Sequence, residues 1–285
     1  KKIWIQPAAG DAGGSLGAAL ALWHIEFNKN RNIINKTDSM NGSYLGPEYS
    51  NIEIEKELKE MGADFEILDE NQIIEKTVLE LCDGKAIGWF QGRMEFGPRA
   101  LGSRSILGDA RSSSMQKNLN LKVKYRESFR PFAPSVIRED LSDWFEMDCD
   151  SPYMLFVSNV KSNKRRFMTE KEKNLFGINK LNIKRSEIPA VTHVDYSARI
   201  QTVHKETNPK YYKLLSEFKK KTGCPVIVNT SFNVRGEPIV GSPRDAFNCF
   251  MGTDIDILVI GKFFLKKEKQ NELLKKNYKN KYELD

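Results

Sequence analysis

Gly88-Trp-Phe-Gln-Gly-Arg-Met-Glu-Phe-Gly-Pro-Arg-Ala-Leu-Gly-Ser-Arg-Ser-Ile-Leu107 decides the first reading of this chain. A short apolar run, Ala86 to Phe90, reads as a buried strand. It ends in a loop that sets Arg93, Arg99 and Arg104 among glycines. A second basic cluster, Lys122-Val-Lys-Tyr-Arg-Glu-Ser-Phe-Arg-Pro-Phe132, follows about twenty residues later. Between Arg93 and Arg138 ten Lys/Arg stand against three Asp/Glu, a local excess equal to the +7 of the whole chain. Guanidinium forks match phosphate oxygens, and glycine lets backbone approach a ligand. The pattern points to a protein that handles phosphorylated small molecules.

Helices and strands alternate outward from this stretch. Asp69 is placed to cap a helix carrying Ile73, Ile74, Val78, Leu79 and Leu81, with Gly84 as its stop. A polar helix near 112–121, apolar segments at 132–137 and 154–160, an amphipathic helix at 211–221, a strand at 225–228, a helix at 243–251 and a strand at 255–260 follow. Such alternation predicts an α/β sandwich. At the start, Ile3-Trp-Ile5 reads as a short strand and Gly13 to Trp23 as a helix. Its glycines serve either an anion at the helix N-terminus or close packing. Residues 28–52 read as loop, 161–187 as a surface loop or lid, and Lys262 to Asp285 as a solvated helix or frayed tail. The break between two modules is placed at 50–68.

At 285 residues and 40% hydrophobic, the chain has material for one large core or two ordinary ones. No apolar run approaches the ~20 residues of a membrane span. Cys82, Cys149, Cys224 and Cys249 form no C-x-x-C pair and read as reduced thiols, which fits a cytoplasmic protein. The opening Lys-Lys-Ile-Trp reads as the start of a fragment or processed product. The pI near 9.0 raises nucleic acid as a partner. The arginines lie in a Gly/Pro loop rather than along a helix face, which makes that partner an unfavoured one.

Two further segments carry polar side chains to strand ends. Thr192-His-Val-Asp-Tyr-Ser-Ala-Arg-Ile-Gln201 alternates like a half-exposed strand, with His193, Asp195, Ser197, Arg199 and Gln201 in one phase. Val226-Ile-Val-Asn-Thr-Ser-Phe-Asn-Val-Arg-Gly-Glu-Pro238 leaves a buried strand for a polar turn with Asn229, Ser231 and Asn233. Strand ends in α/β sheets collect ligands. The chain has neither G-x-S-x-G nor G-x-x-x-x-G-K-[ST], which argues against a serine hydrolase and a P-loop enzyme.

Taken together, these motifs resemble the NodU/CmcH carbamoyltransferases, the family of tobramycin carbamoyltransferase. The resemblance rests on Gln6-Pro-Ala-Ala-Gly-Asp-Ala-Gly-Gly, Tyr44-Leu-Gly-Pro-Glu48, Gly92-Arg-Met-Glu-Phe-Gly-Pro-Arg-Ala-Leu-Gly102, Lys124-Tyr-Arg-Glu-Ser-Phe-Arg-Pro-Phe132, Thr192-His-Val-Asp195 with Ala198-Arg-Ile-Gln201, and Asn229-Thr-Ser-Phe-Asn233. It implies residues 1–66 as the remnant of an actin/sugar-kinase-like transfer domain. Residues 67–265 become a YrdC-like domain with a twisted open sheet and helices, and 266–285 a lysine-rich tail. The implied activity is formation of carbamoyl-adenylate from carbamoyl phosphate and ATP with Mg²⁺, the carbamoyl group then passing to a hydroxyl acceptor in the full-length enzyme. Arg99, Lys124, Arg130, Arg199 and Ser231 are implied as catalytic. Arg93, Arg104, Asn229 and Asn233 are implied as phosphate-binding. Asp11 is implied as one ligand of an iron or zinc ion whose partners this chain lacks. A homodimer is left open. At position 196, where the family pattern has Gly, this chain has Tyr196. The alternative reading is an RNA-binding or tRNA-modification module of the same fold.

Overall fold

The computed structural model describes residues 4–31, 38–181, 183–278 and 281–282. Ile3 lies outside them, and Trp4 and Ile5 are irregular rather than a strand. Helix α1 (Asp11–Ala21) starts after Gly10 at φ 105°, buries none of its residues, and ends in a π turn over Leu22–Glu26. Helix α2 (Asn51–Glu60) falls where a module break was expected. Its start is a reciprocal cap in which Ser50 accepts from the Glu53 amide while the Glu53 carboxylate accepts from the Ser50 amide. Its Ile54 and Leu58 join the same buried cluster as the sheet. Strand β1 (Glu66–Ile67) precedes α3 (Glu70–Cys82), which Asp69 and Gln72 cap in the same reciprocal way. Ile73, Ile74, Val78 and Leu81 of α3 are buried, whereas Leu79 faces solvent.

Next come β2 (Ile87–Phe90), β3 (Arg104–Asp109) and the single turn α4 (Met115–Asn118). Strand β4 (Ala133–Ile137), α5 (Leu141–Trp144) and β5 (Phe156–Asn159) follow. The polar stretch after them holds two short helices, α6 (Glu170–Lys173) and α7 (Gly177–Leu181). Strand β6 (Ser197–Val203) starts later than the polar alternation predicted, and six of its seven residues are buried. The alternating segment instead turns at Tyr196, whose φ of 67° explains why glycine suits that position. Helix α8 (Pro209–Thr222), β7 (Val226–Ser231), α9 (Pro243–Gly252), β8 (Ile257–Ile260) and β9 (Phe263–Lys266) complete the order.

The nine strands among the described residues form one mixed open sheet in the order β1-β9-β8-β2-β3-β7-β4-β6-β5. Strands β8·β2 and β4·β6 pair parallel, and the remaining neighbours are antiparallel. Helix α3 packs with α8, and α2 with α9. Trp89, Phe218, Phe232, Phe250 and Phe263 are wholly buried among these layers. Burial of each contributes roughly 1.5–3 kcal/mol. The expected frayed tail is corrected at two points. Phe263–Lys266 is a sheet strand, because its aromatic pair fits the pleat beside β8, and Tyr278 is 3% exposed against Gly252.

Candidate functional site

A cavity of about 140 Å³ opens where β7, β4 and β6 lie side by side near the sheet centre. Arg99, Arg126, Arg199, Asn229 and Ser231 line it, together with Phe132, Ala133 and Met154. Asn229 pairs with Ala133 on one side and Leu107 on the other, so strand register fixes the floor. Arg199 comes from β6, Arg99 from the β2–β3 loop and Arg126 from the loop before β4. Among the described residues no carboxylate lines the cavity, and none of the three guanidiniums forms a salt bridge. Nε of Arg99 is buried without a partner.

The electrostatics follow from that arrangement. Burial, then the charge of Arg99, pushes Arg199 down to about 10. Burial, then Arg130, pushes Arg126 down to about 10. Cations in a partly desolvated hollow destabilise one another unless an anion enters. Asn120, itself buried, accepts from Nε of Arg126 at 2.7 Å and donates to the carbonyls of Ser128 and Arg130. Between the two loop cations, Tyr125 adopts φ 48°, a left-handed conformation that costs a non-glycine residue energy. That kink separates Lys124, which is buried, from Arg126, which reaches the cavity.

The expected residues do not all meet in one place. Arg99, Arg199, Ser231 and Asn229 meet at the cavity, and Asn233 stands behind it. Lys124 does not line it: its ammonium donates to the carbonyls of Ser231 and Asn233 at 2.5 and 2.8 Å and to Asn233 Oδ1 at 2.7 Å. It ties down the turn that carries Ser231, and burial pushes its pKa down to about 7. Arg130 lies outside the lining, paired with Glu127 at 3.0 Å. Arg93 sits near Glu48 at 3.7 Å and donates to the Gly46 carbonyl. Arg104 is fully buried, stacked 3.5 Å over the Phe90 ring, with its guanidinium on the carbonyls of Gln91, Ser103 and Pro47. Asp11 begins α1 and is exposed. Among the described residues no three His, Cys, Asp or Glu side chains form a metal-holding group.

His193 bonds Ser197 Oγ at 3.0 Å, and Asp195 accepts from the amide and hydroxyl of Ser197. Both shape the turn into β6. Gln201 was counted in the polar phase but not as a site residue. Its Oε1 accepts from Ser135 and Asn229, and its Nε2 donates to the Leu101 carbonyl. Its sequence signal is its place in the same polar phase as Arg199.

Residues 78–267 match the family described as Carbamoyltransferase C-terminus. An uncharacterised protein of Synechocystis is 55% identical over 288 residues, which cover 100% of this chain and 47% of that protein. The nodulation protein NolNO of Sinorhizobium fredii is 42% identical over 270 residues, 93% of this chain and 36% of its own length. The 3'-hydroxymethylcephem-O-carbamoyltransferase of Streptomyces clavuligerus is 32% identical over 266 residues, 91% of this chain and 43% of its own. The chain thus spans less than half the length of each of these relatives.

Proposed function

The chain belongs to the carbamoyltransferase family, whose C-terminal domain it carries, and from that membership we propose that its arginine-lined cavity takes the phosphate of carbamoyl phosphate and of ATP to form carbamoyl-adenylate. The observation that carries this reading is the meeting of Arg99, Arg126 and Arg199 in a hollow without a carboxylate. At about 140 Å³ the cavity is smaller than the roughly 300–1,000 Å³ that encloses a drug-sized ligand. It suits a phosphate-sized group, and the adenosine would lie outside it.

The chemistry needs charge control more than a protein nucleophile. Water releases phosphate from carbamoyl phosphate, leaving carbamate. A carbamate oxygen then bonds to the α-phosphorus of ATP as the bond to the β-phosphate oxygen breaks, and pyrophosphate leaves. Both reactants are anions, and guanidiniums held in place before they arrive lower the cost of bringing them together. Asn229 and Ser231 add polar contacts at the floor. Magnesium would enter with the nucleotide, held by its phosphates. In this reading the sheet is YrdC-like, residues 1–66 are the end of an actin/sugar-kinase-like domain, and transfer to a hydroxyl acceptor belongs to the longer protein.

ATP–pyrophosphate exchange tests the proposal. Exchange that requires carbamoyl phosphate and is lost in Arg199→Ala supports it. Exchange that ignores carbamoyl phosphate, or no exchange despite ATP binding, overturns the adenylate step. Retention of tRNA at salt concentrations that abolish nonspecific binding would favour the RNA-binding alternative.

A further inference from the structure

The loop that delivers Arg99 is wound around one buried carboxylate. Glu95 is 5% exposed, and its Oε1 accepts from the backbone amides of Leu101 at 2.6 Å, Ser103 at 2.8 Å and Arg104 at 3.4 Å. Its salt-bridge role is nil: among the described residues no Lys or Arg pairs with it, although Arg93, Arg99 and Arg104 lie close in sequence. Oε2 is buried without a partner. A single oxygen therefore closes a chain segment six to nine residues long, inside the protein, where unmet amides are costly.

The same segment is pinned from its other side. The Leu101 carbonyl accepts from Gln201 at 2.7 Å and from the Tyr44 hydroxyl at 2.8 Å, and the Ala100 carbonyl accepts from Asn229 at 3.2 Å. Amides of the loop thus face Glu95, while its carbonyls face the strand floor and Tyr44. Arg99 precedes this clamped stretch by one residue, and it is the one cavity arginine whose Nε is buried without a partner. Its direction is set by the loop rather than by a bond to its own head group.

We propose that Glu95 is a positioning residue for the anion site: its Oε1 holds the loop amides so that Arg99 enters the cavity. The inference rests on reading the cavity as an anion site. What it adds is that acceptor position, and not negative charge, is the property Glu95 supplies. A glutamine keeps a carbonyl oxygen at the same reach. An aspartate keeps the carboxyl group but withdraws the oxygen by one methylene.

Calorimetric titration of inorganic pyrophosphate into Glu95→Gln, Glu95→Asp, Glu95→Ala and Arg99→Ala, with thermal melts alongside, tests this. Arg99→Ala should bind about tenfold more weakly, as loss of a charge-assisted contact costs. Glu95→Ala and Glu95→Asp should approach that loss, while Glu95→Gln stays within about threefold of the parent. In an Arg99→Ala background Glu95→Asp should add less than about twofold, since residues acting as a unit are not additive. Should Glu95→Ala fail to fold, the Asp and Gln variants still carry the comparison. Asp retaining affinity while Gln loses it overturns the proposal. So does a loss that adds in full to that of Arg99→Ala, or a fall in melting temperature with affinity unchanged. Undiminished binding by Arg99→Ala itself would overturn the reading of the cavity, a result distinct from all of these.

Discussion

Replacing Arg199 by alanine separates binding from structure. Among the described residues its guanidinium has neither a salt bridge nor a side-chain hydrogen bond, yet it is substantially buried and is pushed down to about 10 by desolvation and by Arg99. If it serves a ligand, removal forfeits charge-assisted hydrogen bonds of roughly 1.5–3 kcal/mol. That corresponds to about one to two decades in affinity for carbamoyl phosphate or for ATP with magnesium. The apo protein should not suffer, because the substitution also relieves repulsion with Arg99. Arg199→Lys should fall between, since an ammonium keeps the charge but cannot form the fork. Isothermal titration of each ligand at constant low salt, with thermal melts of the same preparations, reads both quantities. Affinity unchanged within twofold would refute the argument. A clear drop in melting temperature with modest binding loss would show instead that the arginine serves the fold.

Arg130, paired with Glu127 outside the lining, should behave differently: Arg130→Ala should change phosphate affinity by less than about fivefold, the scale of a surface ion pair, and a loss matching that of Arg199→Ala would show that it reaches the ligand. Lys124 is pushed by burial from 10.5 down to about 7, so the unfolded chain binds more protons between those values. Urea stability should therefore climb with pH through that window and stay level below it, and Lys124→Met should remove the slope. Sulfate, whose charge is constant there, should bind more weakly as pH rises through 7, and a flat titration would contradict the shift. Gly102 has φ 107°, and a Cβ on it would lie 2.3 Å from Cδ1 of Tyr211. Gly102→Ala should cost about 2 kcal/mol or more in chemical denaturation, and a change below about 0.5 kcal/mol would sink that account.

Much of the fold could be read from apolar runs with marked ends. Asp69 and Gly84 bracket α3, and the segments at 86–90, 225–228 and 255–260 each became strands of the sheet. The misses have local causes. Helix α2 was announced by Ser50 and Glu53 at capping-box spacing, followed by Ile54 and Leu58 one turn apart, but the surrounding polar residues hid it. Strand β3 begins with Arg104, which reads as the last cation of a loop until its stacking on Phe90 is seen. Strand β9 has only four residues, beside a lysine-rich stretch. For the cavity, Arg99 could be picked out because few carboxylates stand near it in sequence, whereas Arg199 came from the polar phase of its segment and from the family resemblance. Lys124 was singled out from its basic cluster only through the family resemblance, and its three-dimensional partners, Ser231 and Asn233, lie more than a hundred residues away. Spacing cannot tell an ammonium that grips a ligand from one that grips a turn.

The position of the cavity floor also governs how the site can move. Asn229 lies on β7, a central strand with antiparallel neighbours on both sides. Opening such a strand means breaking two ladders and the core behind them, so its amides should exchange with deuterium only through near-global unfolding. The walls differ: Arg126 rides on the loop before β4, which fluctuates on far shorter times than a sheet rearranges, whereas the Arg99 loop is clamped around Glu95. Adjustment to incoming and departing ligands is thus carried by the Arg126 loop against a floor and a far wall that stay in place. A ligand that slows exchange at residues 124–130, while leaving 100–104 and 226–230 untouched, would display that division of labour directly.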